Sequence, residues 1–212
     1  MEHAIELRHI TKTFGRVTAN HDVSLSVRQG EILSLLGENG SGKTTLMNMI
    51  AGIYYPDSGE ILVGGKPVEI RSPKDAYALG IGMVHQHFKL IDVFTAVENI
   101  ALVMDRHDKY DLKAIRAKAR AICDRYAFDI DLDQKVYEMS VSQKQTLEII
   151  KMLFRGAQIL ILDEPTAVLT PQETERLFCV MRNMKADGKS IIIITHKLHE
   201  VLEISDRVAI LR

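Results

Sequence analysis

Apolar and polar positions alternate along this chain in two different rhythms. In Ala4–Ile10 and Val23–Val27 the period is two, the mark of half-buried strands, and Gly30 closes the second as a turn. Glu31–Leu36 is a mostly apolar run ending at Gly37, as expected of a strand covered on both faces. After a glycine-rich stretch, Leu46, Met49 and Ile50 recur at helical spacing, and that helix should stop near Gly52. Ile53–Gly59 gathers Pro56, Asp57 and Gly59 into a turn, followed by a short strand-turn unit through Gly64 and Gly65.

From about Phe88 to Phe154 the rhythm is mainly helical. Leu112, Ile115, Ala119, Ile122 and Tyr126 fall on one stripe, while Lys113, Arg116, Lys118 and Arg120 lie elsewhere around the helix as a solvated face. The last third predicts strand Ile159–Leu162, helix Pro171–Ala186, strand Ser190–Thr195, helix Leu198–Ile204 and strand Arg207–Leu211. Strands alternating with helices argue a largely parallel sheet. The expected organisation is one α/β domain, with a core at about 1–87 and 157–212 and an inserted helical subdomain at about 88–156.

Composition narrows this further. At roughly 150 residues per domain, 212 residues make one large domain, or one domain and a subdomain. Lys and Arg number 27 against 28 Asp and Glu, for a net charge of -1, which gives bulk electrostatics no grip on nucleic acid. No aliphatic run approaches the ~18 residues of a membrane span. Glu2 and His3 follow Met1 with no apolar stretch behind them, so no signal peptide is expected. Cys123 and Cys179 lack metal-ligand spacing and read as reduced core thiols, which points to the cytosol.

The chemistry concentrates in two places. Gly37-Glu38-Asn39-Gly40-Ser41-Gly42-Lys43-Thr44 satisfies G-x-x-x-x-G-K-[ST] between a buried strand and a helix. Its glycines let backbone N–H groups wrap phosphate oxygens at a positive helix end. Lys43 supplies an ammonium for the β- and γ-phosphates, and the Thr44 hydroxyl suits a magnesium ion. Ile159-Leu160-Ile161-Leu162-Asp163-Glu164 then puts two acids where a strand emerges. Asp163 is the expected metal carboxylate and Glu164 the group that orients and deprotonates water. His85 and His87, two apart with no third ligand, are too few for a metal site and read as loop structure.

With these motifs in place, the whole chain resembles the ATP-binding cassette (ABC) family. The resemblance implies a P-loop NTPase core with an antiparallel N-terminal β subdomain beside the mostly parallel sheet. It also implies roles for Phe14 as the aromatic under adenine, for Thr45 within the ATP-binding loop, and for Gln86 as the Q-loop residue contacting Mg2+ and water. Met139-Ser140-Val141-Ser142-Gln143 occupies the place of the L-S-G-G-Q signature, with Val141 and Ser142 where glycines are usual. His196 is similar to the histidine that senses the γ-phosphate. Ser140-Val141, Gln143-Lys144-Gln145, Glu148-Ile149 and the run Asp163–Pro171 resemble importers of simple sugars and nucleosides, whose ATPase is usually a tandem chain of two cassettes, and this sequence resembles the first.

What that resemblance implies is an ATP- and Mg2+-dependent ATPase at the cytoplasmic face of the membrane. Its partners would be a second cassette, fused or separate, transmembrane permease subunits and, indirectly, a solute-binding protein, with no nucleic acid. Phe88, Leu90, Ile91 and Phe94 would either dock the permease or pack the subdomain's own core. A chain stopping at Arg212, within a late strand, reads as truncated. A soluble ABC ATPase acting on ribosomes or DNA is the alternative, and a P-loop kinase a more distant one.

Overall fold

The computed structural model describes residues 2–86, 88–104 and 110–212. In chain order the elements begin with β1 (His3–Phe14), β2 (Val17–Arg28), β3 (Ile32–Leu36), α1 (Lys43–Ile50), β4 (Ser58–Val63), β5 (Lys66–Val68), α2 (Pro73–Ala78) and β6 (Ile81–Val84). Helices α3 (Ala96–Ala101), α4 (Leu112–Tyr126) and α5 (Val141–Phe154) follow. The chain returns through β7 (Ile159–Asp163), α6 (Pro171–Ala186), β8 (Ser190–Ile194), α7 (Leu198–Ile204) and β9 (Arg207–Ile210). One sheet is antiparallel, in the order β2-β1-β4-β5. The other is parallel throughout, in the order β6-β7-β8-β3-β9. The α/β fold expected from the sequence is the fold observed.

The parallel sheet is the middle layer. Successive side chains of a strand face opposite ways, and β7 and β8 divide their apolar residues accordingly. Leu160, Leu162, Ile191 and Ile193 pack toward α4, α5 and α6. Ile159, Ile161, Ile192 and Ile194 pack toward α1 and the antiparallel sheet. Gly82 in β6 has its reason here, because a Cβ would stand 3.0 Å from Met152 of α5. On α4 the expected stripe is turned inward, with Ile115, Ala119 and Tyr126 buried and Cys123 joining them. On its other face, Arg116 pairs with Asp133, and Lys118 lies 4.1 Å above the Phe154 ring.

Several expectations are corrected. Strands β1 and β2 run well beyond Ala4–Ile10 and Val23–Val27, because register shifts along the β1–β2 pairing break the alternation. Helix α2 and strand β6 had no clear signature, although Ser72 caps α2 and Pro73 opens it. The stretch from Phe88 to Thr95 is not helical. Its backbone instead bonds to distant side chains: Ile91 N–H donates to Asn99 Oδ1 at 2.8 Å, and Lys89 N–H to Glu148 Oε1 at 2.8 Å. Cys179 is exposed on α6 and is not a core thiol. Among the described residues, no helix is long and apolar enough to cross a membrane.

The end of α1 gives a stability test. Gly52 follows the helix with φ 74°, and a Cβ there would stand 2.2 Å from the Ser72 carbonyl oxygen and 2.8 Å from Pro73 N. Both obstacles are backbone, which no rotamer can move. Gly52→Ala should therefore lower the unfolding free energy by at least about 1–3 kcal/mol. Urea denaturation should show this as a lower midpoint at unchanged slope, and an unaltered midpoint would refute the clash.

Candidate nucleotide site

In register, β8 aligns Ile194 with Asp163 of β7 on one side and with Leu35 of β3 on the other. The residues leaving these strands at their carboxyl ends therefore emerge along one edge. That edge carries the loop 37–42, the acids Asp163 and Glu164, and the segment Thr195–Lys197. In open parallel sheets this edge is where ligands bind.

The glycine-rich loop is built around its lysine. Lys43 is buried, and its ammonium donates to the Gly37 and Glu38 carbonyl oxygens at 2.9 and 2.8 Å. Gly42, with φ 90°, is obligatory. A Cβ would sit 2.2 Å from the Ala19 carbonyl oxygen and 2.6 Å from Asn20 Nδ2. The Asn20 amide also donates to the Gly42 carbonyl at 3.3 Å, tying the loop to β2. Among the described residues, no side chain caps the N-terminus of α1, so its first-turn N–H groups remain available, and the buried Ser41 hydroxyl has no partner. Such groups call for an acceptor, and a phosphate fits them. Gly37, Glu38, Asn39, Gly40, Ser41, Gly42, Lys43, Thr44 and Thr45 thus share one loop and the first turn of α1.

The acids stand opposite. Thr44 Oγ1 makes a long contact of 3.4 Å with Asp163 Oδ2. Burial, and then the neighbouring Glu164 charge, push the Asp163 carboxyl above its usual range. A partly buried carboxylate with a hydroxyl beside it and surplus negative charge suits a hard divalent cation. Glu164 itself has φ 47°, a left-handed backbone that costs a non-glycine residue about 1–3 kcal/mol. Its N–H is held by the Ile194 carbonyl at 2.9 Å, and its Oε1 lies 3.2 Å from His196 Nδ1.

Three further residues complete the arrangement. Gln86 leaves β6, whose Val84 pairs with Leu162, and is exposed near the same edge. His85 beside it is half-buried; burial chiefly, and Lys89 next, hold its imidazole below the ordinary histidine range. His87 lies outside the described residues. Phe14 is exposed at the end of β1, its ring meeting Tyr54 edge-on at 5.1 Å. Asp57 fixes that platform by accepting from Lys12 Nζ at 2.8 Å and from the Thr13 N–H and hydroxyl, each at 2.7 Å. Lys12 first and Thr13 second hold the Asp57 carboxyl down to about 2, so the tie persists at neutral pH and is lost only in strong acid.

At the start of α5, Ser140 is the N-cap. Its hydroxyl accepts from Gln143 N–H at 3.2 Å, and Gln143 Oε1 accepts from Ser140 N–H at 2.9 Å. This reciprocal pair is a capping box. The start of α5 is therefore held by Ser140 and not by Ser142. The Ser142 hydroxyl lies against Glu173 of α6, where it adds to the larger effect of Thr170 in holding that carboxyl below its usual range.

A sequence profile for the family described as ABC transporter matches residues 20–167. The chain belongs to the ABC transporter family. Among similar curated proteins are the guanosine import ATP-binding protein of Bacillus subtilis, 50% identical, and the nucleoside import ATP-binding protein of Lactococcus lactis subsp. cremoris, 48% identical. Each alignment covers 100% of this chain but 42% of the relative, so the chain spans less than half the length of the proteins it matches. The ribose import ATP-binding protein of Hahella chejuensis is 46% identical, again over 100% of this chain and 43% of its own length. Among solved structures, the ADP conformation of an ATP-binding cassette of an ABC transporter superposes with a TM-score of 0.88 at 28% identity, covering 100% of this chain and 87% of that one.

Within this ABC cassette, sequence reasoning did not single out Asn20 or Tyr54. Nothing local marks Asn20. Tyr54 could have been suspected from the exposed aromatic pair Tyr54-Tyr55 in a turn.

The raised Asp163 gives a prediction with a definite sign. Its folded pKa exceeds the unfolded value, so its ionisation disfavours the nucleotide-free fold, and that cost grows as pH rises from the ordinary carboxylate range through the raised value. Asp163→Asn should accordingly raise the melting temperature of the nucleotide-free chain at pH 7. Differential scanning calorimetry checks it. A lower melting temperature would show the carboxylate is needed by the fold itself.

Proposed function

We propose that this chain binds ATP and hydrolyses it together with a second cassette, energising a membrane importer for a simple sugar or nucleoside. The observation that carries the reading is the meeting, on one sheet edge, of an uncapped phosphate loop with a Glu164–His196 pair at 3.2 Å. The import relatives support the solute class.

Adenine would stack on Phe14 beside Tyr54, with the triphosphate running over residues 37–45. Lys43 is already within the loop, so binding exchanges its carbonyl contacts for phosphate oxygens with little rearrangement. Thr44, Asp163 and Gln86 would hold a magnesium ion, which supplies charge neutralisation on the phosphates. Glu164 would take a proton from the attacking water, while His196, at hydrogen-bond distance from it, would sense the γ-phosphate. The second cassette would bring its own signature across this site, and Ser140–Gln143 would cap the partner's nucleotide. Ile91 is exposed and Phe88 and Phe94 are half-buried in the segment after Gln86, which supports a permease contact there, whereas Leu90 packs on the chain's own core. The chain would sit peripherally, on the cytoplasmic face.

Glu164→Gln tests the chemistry directly. With the partner cassette present, turnover should fall about 10²–10⁴-fold, the share general-base catalysis commonly supplies. ATP affinity should persist, whereas Lys43→Ala should lose it. Full turnover in Glu164→Gln would remove Glu164 from the mechanism.

The departure at the signature gives a second test. Ser142 puts a side chain where glycine lets a backbone approach a phosphate closely. The site capped by Ser140–Gln143 should therefore be slow, and the isolated chain, able to pair only with itself, a poor ATPase. Ser142→Gly should raise its turnover at concentrations that permit dimers. Brisk turnover before the change and none gained after it would discard the idea.

A further inference from the structure

Glu200, on α7, is a buried carboxylate with no part in the chemistry above. Its side chain is 4% exposed. Oε2 accepts from the Thr166 hydroxyl at 2.6 Å and from the Thr195 hydroxyl at 3.3 Å. Oε1 faces Lys197 Nζ at 3.1 Å. Lys197 closes the ring by donating Nζ to the Thr166 carbonyl oxygen at 2.7 Å and its N–H to the Thr195 hydroxyl at 3.1 Å. Thr166 and Thr195 are themselves buried. The outlying contact is His199, 4.0 Å away and exposed.

The positions of these partners matter. Thr166 lies two residues after Glu164, while Thr195 and Lys197 flank His196 on either side. Glu164 and His196 touch each other at 3.2 Å, and among the described residues neither side chain has another hydrogen-bond partner. The His196 side chain is 58% exposed, and a contact that open does little to hold two chains together. Glu164 also keeps a left-handed backbone that persists only when its surroundings over-determine it. Something behind the pair must set its spacing.

We propose that Glu200 is the positioning residue that does so, strapping the loop after Glu164 to the segment bearing His196. The proposal rests on the reading of Glu164 as base. An ion pair with one partner buried and the other half-buried is a poor source of net stability, since desolvation offsets attraction. What this carboxylate offers is direction: it fixes two hydroxyls and an ammonium from two loops on one point.

The experiment compares Glu200→Ala, Glu200→Gln, Thr166→Val and Thr166→Ser in two ways. The first is the His196 ring NMR signal in the 212-residue chain, assigned by its loss in His196→Gln. The second is kcat and KM for ATP with the partner cassette present. Glu200→Ala and Thr166→Val should shift the His196 signal and lower kcat about 10–100-fold, the scale of a misplaced catalytic group, with KM within about twofold. Glu200→Gln and Thr166→Ser, which keep an acceptor or a hydroxyl in place, should recover most of both. If Glu200→Ala does not fold, Thr166→Val decides, because it removes one hydroxyl and leaves the buried charge paired. An unmoved His196 signal, or a moved signal with unchanged kcat while Glu164→Gln is inactive, overturns the proposal. A moved signal with normal turnover in Glu164→Gln too would instead sink the assignment of the base and leave the strap standing.

Discussion

Strand β8 shares backbone hydrogen bonds with β7 on one side and β3 on the other, and the whole site hangs from that common register. Ser190–Ile194 is buried along its entire length. Four isoleucines in sequence fill both faces at once, so the strand cannot slide without exposing one layer or the other. With β8 fixed, Asp163 and Leu35 are fixed beside Ile194, and Thr195 is the first residue free of the sheet. Phosphate loop, acids and histidine inherit their place on one edge from three short strands, and within that edge the Glu200 contacts set how Glu164 and His196 meet.

The features legible in the sequence were those with a local physical cause. A buried parallel strand must be apolar throughout, and a phosphate loop must have glycines before its lysine. The α4 stripe must repeat at helical spacing. Features with distant causes were not legible. Gly82 weakens β6 as a pattern, and its purpose lies with Met152, far along the chain. The apolar residues after Gln86 suggest a helix, yet Asn99 bonds the Ile91 N–H and carbonyl, and Lys151 donates to the Lys89 carbonyl, holding the segment open. Glu200 and Thr166 are unremarkable letters until the fold brings them to 2.6 Å.

The two halves of the proposed ATP machinery differ in how their polar groups are employed. Around Lys43 and Asp163 the groups are exposed to need: a free helix end, a lone Ser41 hydroxyl, a carboxylate above its usual range. At the start of α5 they are already satisfied within the chain. Ser140 and Gln143 bond each other, and Gln143 Nε2 donates to Gln134 at 3.2 Å. A partner's phosphate arriving there must compete with bonds in place, whereas one arriving at the loop meets the open end of α1 and the Ser41 hydroxyl, and has only the two Lys43 carbonyl contacts to replace. The asymmetry expected from Ser142 is therefore reinforced by its neighbours.

That contrast also bears on how ATP could move the protein. The raised Asp163 carboxyl, the lone Ser41 hydroxyl and the open end of α1 each have the sign that a magnesium–phosphate pair would reverse. On the proposed function, the cation would answer Asp163 and Glu164, while the phosphates would answer Ser41 and the open end of α1. A ligand that relieves such strain binds the native state selectively and stabilises it by mass action. It also favours whichever loop arrangement relieves most, which is how differential contacts become a shift of conformation. The strap at Glu200 joins the loop after Glu164 to the loop of His196, so relief at one is transmitted to the other through bonds already made. Nucleotide would then order the edge as one unit, and loss of the γ-phosphate would release it as one.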